Sequence, residues 1–279
     1  MATTNRLMRT GPIRNAPIWL APQANDYLFL QRDRDKAMRT DYLNIPIRDC
    51  GEPLQEIPES AFPRVTPHPY LAVGAPSTGS PWRLRSGALS ALYRAQSLLS
   101  GRRLGWRIAL FDAYRPLAVQ HFMVWDAFRR EAQAVGCLTR LASCAGPDAL
   151  ERLDPEIYAL LAPKVYRFWG IPDPDPCCPP PHSTGAAIDC KLVDGEGRDV
   201  PMGGPVDDFT DRAIPDFYAA ALPGTPGYLY HQNRELLVSI MTQAGFAQHV
   251  GEWWHFSIGD QMWAYALGAE HALYGRILS

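Results

Sequence analysis

Two short segments of this 279-residue chain concentrate the residue types that can do chemistry: Pro181-His182-Ser183-Thr184-Gly185-Ala186-Ala187-Ile188-Asp189 and Gly251-Glu252-Trp253-Trp254-His255. Two histidines and one carboxylate can fill three corners of a zinc tetrahedron. A second carboxylate then remains to handle protons, and one coordination position stays open for water. That is the complement of a metal-dependent hydrolase. Each segment also has a plainer reading. A lone histidine beside a proline-rich stretch is commonly a surface or hydrogen-bonded residue, and Glu-Trp-Trp-His can be a tryptophan-rich core strand with an incidental salt bridge. Gly185 between His182 and Asp189 lets the backbone turn tightly, so that a loop ligand and a strand ligand converge. On a regular strand, residues three apart face opposite sides, so Glu252 is expected on a turn just before the strand of His255, or beyond a bulge. No His-Glu-x-x-His helix is present, which excludes helical zincin architectures. Arg115, in Phe111-Asp112-Ala113-Tyr114-Arg115-Pro116, is a permanent cation at a strand-to-helix junction. It can neutralise a developing oxyanion, or simply bridge to Asp112.

The elements that must position these residues are legible in outline. The apolar spacing of Ala88, Leu89, Leu92, Ala95, Leu98 and Leu99 predicts a helix closed by Gly101. Alternation from Trp106 predicts a strand ending at Asp112, and Pro116 suits the first turn of the next helix. Asp148 to Trp169 reads as helix, broken near Pro155 or Pro163. The run from Ile171 to Pro181 can be neither helix nor interior strand and delivers the chain to His182. Ala186 to Val193 reads as a strand, turning at Asp194-Gly195 and returning over Arg198 to Met202. Asn233 to Ala244 reads as a helix capped by Gly245, His249 to Ser257 as a strand, and Gly259 to Tyr274 as a last helix. Short strands are expected at Asp26 to Leu30 and Leu43 to Ile47. The pattern fits an α+β class: one domain with a small central antiparallel sheet flanked by helices, the zinc site at the sheet, and an N-terminal arm.

Composition narrows the function classes. An apolar fraction of 47%, a charged fraction of 20% and a net charge of −2 describe an ordinary globular protein. No basic block argues for nucleic acid, and no apolar run is long enough to span a membrane. Met1 to Asn25 lacks a signal-peptide apolar region, which predicts a cytoplasmic protein, or a periplasmic one if a signal has been trimmed. Homo-oligomerisation is not predicted. The six cysteines, at 50, 137, 144, 177, 178 and 190, show neither a disulfide framework nor paired zinc knuckles.

Taken in order, Asp-x-Tyr-Arg-Pro, His-Ser-x-Gly-x-Ala-x-Asp and Glu-Trp-Trp-His resemble the D-alanyl-D-alanine dipeptidases of the vancomycin-resistance type, which are zinc D,D-peptidases. Met202-Gly203-Gly204-Pro205-Val206-Asp207-Asp208-Phe209 is similar to that family's Met-Gly-x-x-Phe-Asp-x-Phe segment. Asn233-Arg234, Leu236-Leu237, Met241 and Gly245-Phe246 resemble its helix before the last motif. The resemblance covers roughly residues 85 to 265. It implies that His182, Asp189 and His255 hold one Zn2+, that Glu252 is the catalytic base and that Arg115 stabilises the transition state. Asp207, or adjacent Asp208, would receive the substrate's free amino group, with Tyr114 and Ser183 as further substrate contacts. The implied reaction is hydrolysis of D-alanyl-D-alanine or a close D,D-dipeptide, in peptidoglycan-precursor remodelling, dipeptide salvage or glycopeptide resistance. The alternatives are a D,D- or L,D-carboxypeptidase acting on longer wall peptides, and an inactive zinc-containing binding protein. Residues 1–85 are expected as an arm with irregular strands packed on a catalytic core of 86–279. Pro180 stands where many members carry Ser, and Cys177, Cys178 and Cys190 crowd the metal segment; a thiolate ligand is conceivable from Cys177 or Cys178.

Overall fold

A computed structural model describes residues 41–76 and 79–277. Its centre is a four-stranded antiparallel sheet built from β3 (Arg107–Asp112), β4 (Ala187–Val193), β5 (Ala247–Gln248) and β6 (His255–Ser257), in the order β3-β4-β6-β5. A separate two-stranded antiparallel pair joins β1 (Leu54–Glu56) to β2 (Arg83–Arg85). Seven α-helices occur among the described residues: α1 (Pro69–Ala72), α2 (Ser86–Arg102), α3 (Leu117–Ala134), α4 (Pro147–Leu153), α5 (Pro155–Val165), α6 (Pro226–Gln243) and α7 (Gln261–Leu267). This is the expected α+β class.

The sheet is buried because its central strand has almost nothing to offer water. In β4 every residue is buried except the half-buried Lys191. Leu92 and Leu99 of α2, Leu237 and Ile240 of α6, and Ile108, Leu110, Ile188 and Leu192 of the sheet are fully enclosed in one core. Each such side chain contributes about 1.5–3 kcal/mol of burial. A second cluster lies where α3, α4 and α5 meet, around Val124, Phe128, Leu150 and Leu161.

One irregularity of the sheet matters for chemistry. Leu110 pairs with Cys190, yet Asp112 pairs with Asp189, so Phe111 is the extra residue of a β-bulge. The bulge puts the Asp112 side chain on the same face as Asp189, which in turn pairs with His255. Asp112, Asp189 and His255 therefore form a row across three strands.

Several expected elements differ. Leu43–Ile47 is not a strand: Asp41–Asn44 forms a 3-10 turn, followed by a single bridge from Ile47 to Ala272. Asp26–Leu30 lies outside the described residues. The helical stretch from 148 breaks at Asp154, whose carboxylate caps α5, while Pro163 is accommodated within that helix. Arg198–Met202 returns beside β4 without forming a full strand: a bridge joins Asp199 to Val193, Val200 bonds to Leu192 and Lys191 pairs with Asp199, while Asp194 ties the intervening turn to itself. Residues 249–257 are a hairpin turn followed by a short strand rather than one long strand. The last helix is confined to Gln261–Leu267 by glycines in the left-handed region on either side, Gly259 (φ 78°) and Gly268 (φ 64°). Helix α6 begins earlier than its apolar spacing suggested, at Pro226 behind the Thr225 cap. No helix among the described residues is long and apolar enough to cross a membrane.

Candidate metal centre and active site

The proline-rich approach ends in a 3-10 turn, Pro181–Thr184, which closes on Gly185 in the left-handed conformation (φ 70°). That turn swings His182 back over the start of β4, so its ring meets the row formed by Asp189 and His255. His182 Nε2 stands 3.3 Å from Asp189 Oδ2, and His255 Nδ1 stands 3.1 Å from Asp189 Oδ1. The two ring nitrogens are 3.2 Å apart. The three donor groups lie within 4.8 Å of one another and all three residues are buried.

Their protonation follows from their neighbours. His182 Nδ1 donates to the Ala113 carbonyl at 2.7 Å, which leaves Nε2 as the ring nitrogen that faces the centre. Burial alone would raise the Asp189 carboxyl, but His182 and His255 overcome it and hold the group well below the usual carboxylate range. Asp189 Oδ1 accepts no hydrogen bond. Two imidazole nitrogens and a charged carboxylate with an unused oxygen, turned toward one buried point, fit a divalent cation such as zinc. No cysteine joins this group among the described residues. The Cys177 and Cys178 thiols are raised, Cys177 chiefly by Asp175 and Cys178 chiefly by burial, and Cys190 is fully buried.

Arg115 is locked beside the centre. Its backbone N–H donates to the His182 carbonyl at 3.2 Å, and its own carbonyl accepts the Ser183 hydroxyl at 2.7 Å. The guanidinium donates to Asp112 through Nε (3.1 Å) and Nη2 (2.6 Å), to Gln120 Oε1 through Nη1 (2.7 Å), and to the Tyr70 hydroxyl. It lies between the Tyr70 and Trp169 rings, with Nη2 3.9 Å from Asp189 Oδ2. Burial would raise Asp112, but Arg115, His182 and His68 bring it down to about 2. The salt bridge to Asp112 and the place beside the metal ligands therefore coexist in one residue.

Glu252 sits on the turn before β6, as its spacing from His255 required. Its Oε2 is 3.7 Å from His255 Nδ1. Burial, Asp189 and Asp207 push its carboxyl well above the ordinary value. His249 stands beside it and stays neutral, its basicity lowered to about 3 by burial and by His255. Asp207 is a non-glycine residue in the left-handed region (φ 60°), and burial together with Asp189 raises it to about 7. Asp208 is occupied elsewhere: it accepts from the Thr210 N–H and hydroxyl and pairs with Arg212 at 3.0 Å. Of the two adjacent acids, Asp207 is the one whose field joins the site.

The structure brings His182, Asp189, His255, Glu252, Arg115 and Asp207 together. Tyr114 and Ser183 take supporting places instead. The Tyr114 ring is buried beneath the Arg83 guanidinium, 5.0 Å away, and the Ser183 hydroxyl is committed to the Arg115 carbonyl. Sequence reasoning missed Tyr70, Gln120 and His249. Tyr70 lies in an irregular proline-rich stretch with no periodic signal. Gln120 carried one available sign, its position a helical turn beyond the Arg115-Pro116 junction.

Comparison with known proteins gives the family. A family model described as D-ala-D-ala dipeptidase matches residues 69–272. The D-alanyl-D-alanine dipeptidase of Synechocystis sp. is 42% identical over 250 residues, covering 85% of this chain and 96% of that one. The protein of the same name from Escherichia coli is 30% identical over 63% of this chain and 66% of its own length. That of Enterococcus faecium is 30% identical over 60% and 71% respectively.

Proposed function

Because this chain belongs to the D-ala-D-ala dipeptidase family of metallopeptidases, we propose that it hydrolyses D-alanyl-D-alanine, or a closely related D,D-dipeptide, at the His182–Asp189–His255 centre. The observation that carries the proposal is the convergence of those three donors, with Glu252 beside His255 and Arg115 beside Asp189. Zinc is the ion the two imidazoles and one carboxylate suit best, and when bound it supplies a Lewis acid and an acidified water.

The rest of the chemistry belongs to the chain. Glu252, its carboxyl raised well above the ordinary value by burial, Asp189 and Asp207, accepts a proton from the attacking water and returns it to the leaving amine. Arg115, permanently charged and held by Asp112, Gln120 and Tyr70, donates to the oxyanion that forms at the scissile carbonyl. The Asp207 carboxylate receives the substrate ammonium, so a free amino end becomes a requirement. That requirement favours a dipeptidase over a carboxypeptidase that trims longer peptides.

The test is a hydrolysis panel on metal-quantified protein, with and without chelator. D-Ala-D-Ala is expected to be cleaved, and an N-acylated D-Ala-D-Ala or a pentapeptide ending in it is expected to be spared. Equal turnover of the blocked peptides would replace the dipeptidase reading with a carboxypeptidase one.

A further inference from the structure

The hairpin turn that carries Glu252 is held unevenly. Its second half is anchored to the body of the protein: the Trp253 N–H donates to the Ala213 carbonyl at 2.8 Å, the Trp253 carbonyl accepts from Gln248 Nε2 at 2.9 Å, and the Trp254 carbonyl accepts the Cys190 N–H at 3.0 Å. The first half, which sets where Glu252 stands, is tied down among the described residues by His249. The His249 N–H donates to the His255 carbonyl at 3.0 Å, and its carbonyl receives the Glu252 N–H at 3.5 Å. The ring then closes the turn a second time, with Nδ1 accepting the Gly251 N–H at 3.3 Å. Val250 is exposed and Gly251 has no side chain, so neither braces the turn from within.

The ring's surroundings lock it in turn. It meets His255 edge to face, with centroids 5.5 Å apart, and its Nδ1 is 3.9 Å from Glu252 Oε2. The ring lies directly against position 251, where a Cβ would stand 3.4 Å from His249 Cε1, at ordinary contact distance. One imidazole thus touches the ligand strand, the turn backbone and the flank of the Glu252 carboxylate.

We propose that His249 is the positioning residue of Glu252: its ring acts as an acceptor cap on the turn and fixes the carboxylate relative to His255. This rests on the reading of Glu252 as the proton carrier. A cap of this kind acts on catalysis through geometry, since a misplacement of about 1 Å can cost about 100-fold in rate. It does not act on metal affinity or on substrate capture, because His249 supplies neither a ligand atom nor a contact to Asp207.

The experiment compares His249→Ala, His249→Asn and His249→Gln with the parent and with Glu252→Ala, all with measured metal content. Asparagine accepts the N–H two residues on through the same kind of short side-chain turn, whereas the longer glutamine does not close it. His249→Ala is expected to lower kcat by about 10–100-fold, with KM and one metal per chain unchanged. His249→Asn should restore most of kcat and His249→Gln should not, and Glu252→Ala should be unaffected by adding His249→Ala to it. Parental kcat in His249→Ala, loss of metal in step with kcat, or an asparagine variant no better than alanine would each overturn the role of His249. If His249→Ala does not fold, the contrast between asparagine and glutamine decides the matter alone. Full turnover in Glu252→Ala would sink the parent reading, an outcome distinct from a normal His249→Ala beside an inactive Glu252→Ala.

Discussion

Glu252 and Asp207 are carboxyls of like charge within each other's field, and both are displaced upward from the ordinary carboxylate range by burial and by Asp189. Their neighbours suit them to different work. Glu252 flanks His255 and is placed to shuttle a proton. Removing it should cost about 10²–10⁴-fold in kcat, with the metal retained; Glu252→Gln with near-parental turnover would refute that assignment. Asp207 has to be charged to hold an ammonium. Its carboxyl is raised to about 7, so it is protonated at pH 5 and ionised above neutrality, and KM for the dipeptide should fall as pH rises across that interval. A bound divalent cation lowers the midpoint without reversing the sign. On the alkaline side KM should climb again as the substrate amine, near pKa about 8, loses its proton. Asp207→Asn should raise KM by about 10–100-fold, from the loss of a charge-assisted hydrogen bond worth about 1.5–3 kcal/mol, and should flatten the acid limb. An acid limb of KM that survives unchanged in Asp207→Asn would show that Asp207 is not the ammonium's partner.

At the scale of elements, what could be read in the sequence was whatever repeats locally. The apolar spacing of α2 and the dense apolar run of β4 each point to one structure, and the expected ranges agree with Ser86–Arg102 and Ala187–Val193 within a residue or two. Glu252 could be placed on a turn because three residues separate it from His255 and a strand cannot aim both the same way. The bulge at Phe111 left no local trace, since it is defined by pairing with a strand some 80 residues away. Tyr70 was hidden for the same reason: its partners Asp112 and Arg115 lie 42 and 45 residues on. Gly185 was the exception, a local residue with a readable purpose. It takes φ 70°, and a Cβ there would come within 2.4 Å of Leu54 Cδ2. Leu54 Cδ2 is the far end of a side chain that can rotate aside, so the backbone conformation is the lasting cost, about 1–2 kcal/mol for an L-residue. Gly185→Ala should lower the unfolding free energy by that amount and weaken metal binding, because the turn fixes His182 against Asp189. Urea unfolding and chelator competition measure the two effects, and a variant unchanged in both would mean that the turn does not set the ligand geometry.

For the whole molecule, the site is a concentration of negative charge where the two hydrophobic clusters come together. The sheet supplies Asp112, Asp189 and His255, while Tyr70 and Trp169 belong to the cluster around α3. Asp112, Asp189, Asp207 and Glu252 face the Arg115 guanidinium, and the raised Asp207 and Glu252 register the surplus. A divalent cation relieves that repulsion and ties the 182–185 turn, β4 and β6 to one point, none of which survives unfolding. Binding to the folded state alone stabilises it by about 4 kcal/mol when free metal stands at about 1,000 times its Kd. In a chain of this size each kcal/mol moves the melting temperature by about 2–4 °C, so chelation should lower it by on the order of 10 °C. The variants separate ligand from bystander: Glu252→Ala should keep the full chelator-dependent shift although turnover is lost, and His255→Ala should abolish the shift. A parent protein that melts identically with and without chelator would leave the His182–Asp189–His255 group without a metal to hold, and a Glu252→Ala protein that loses the shift would make Glu252 a ligand rather than a base.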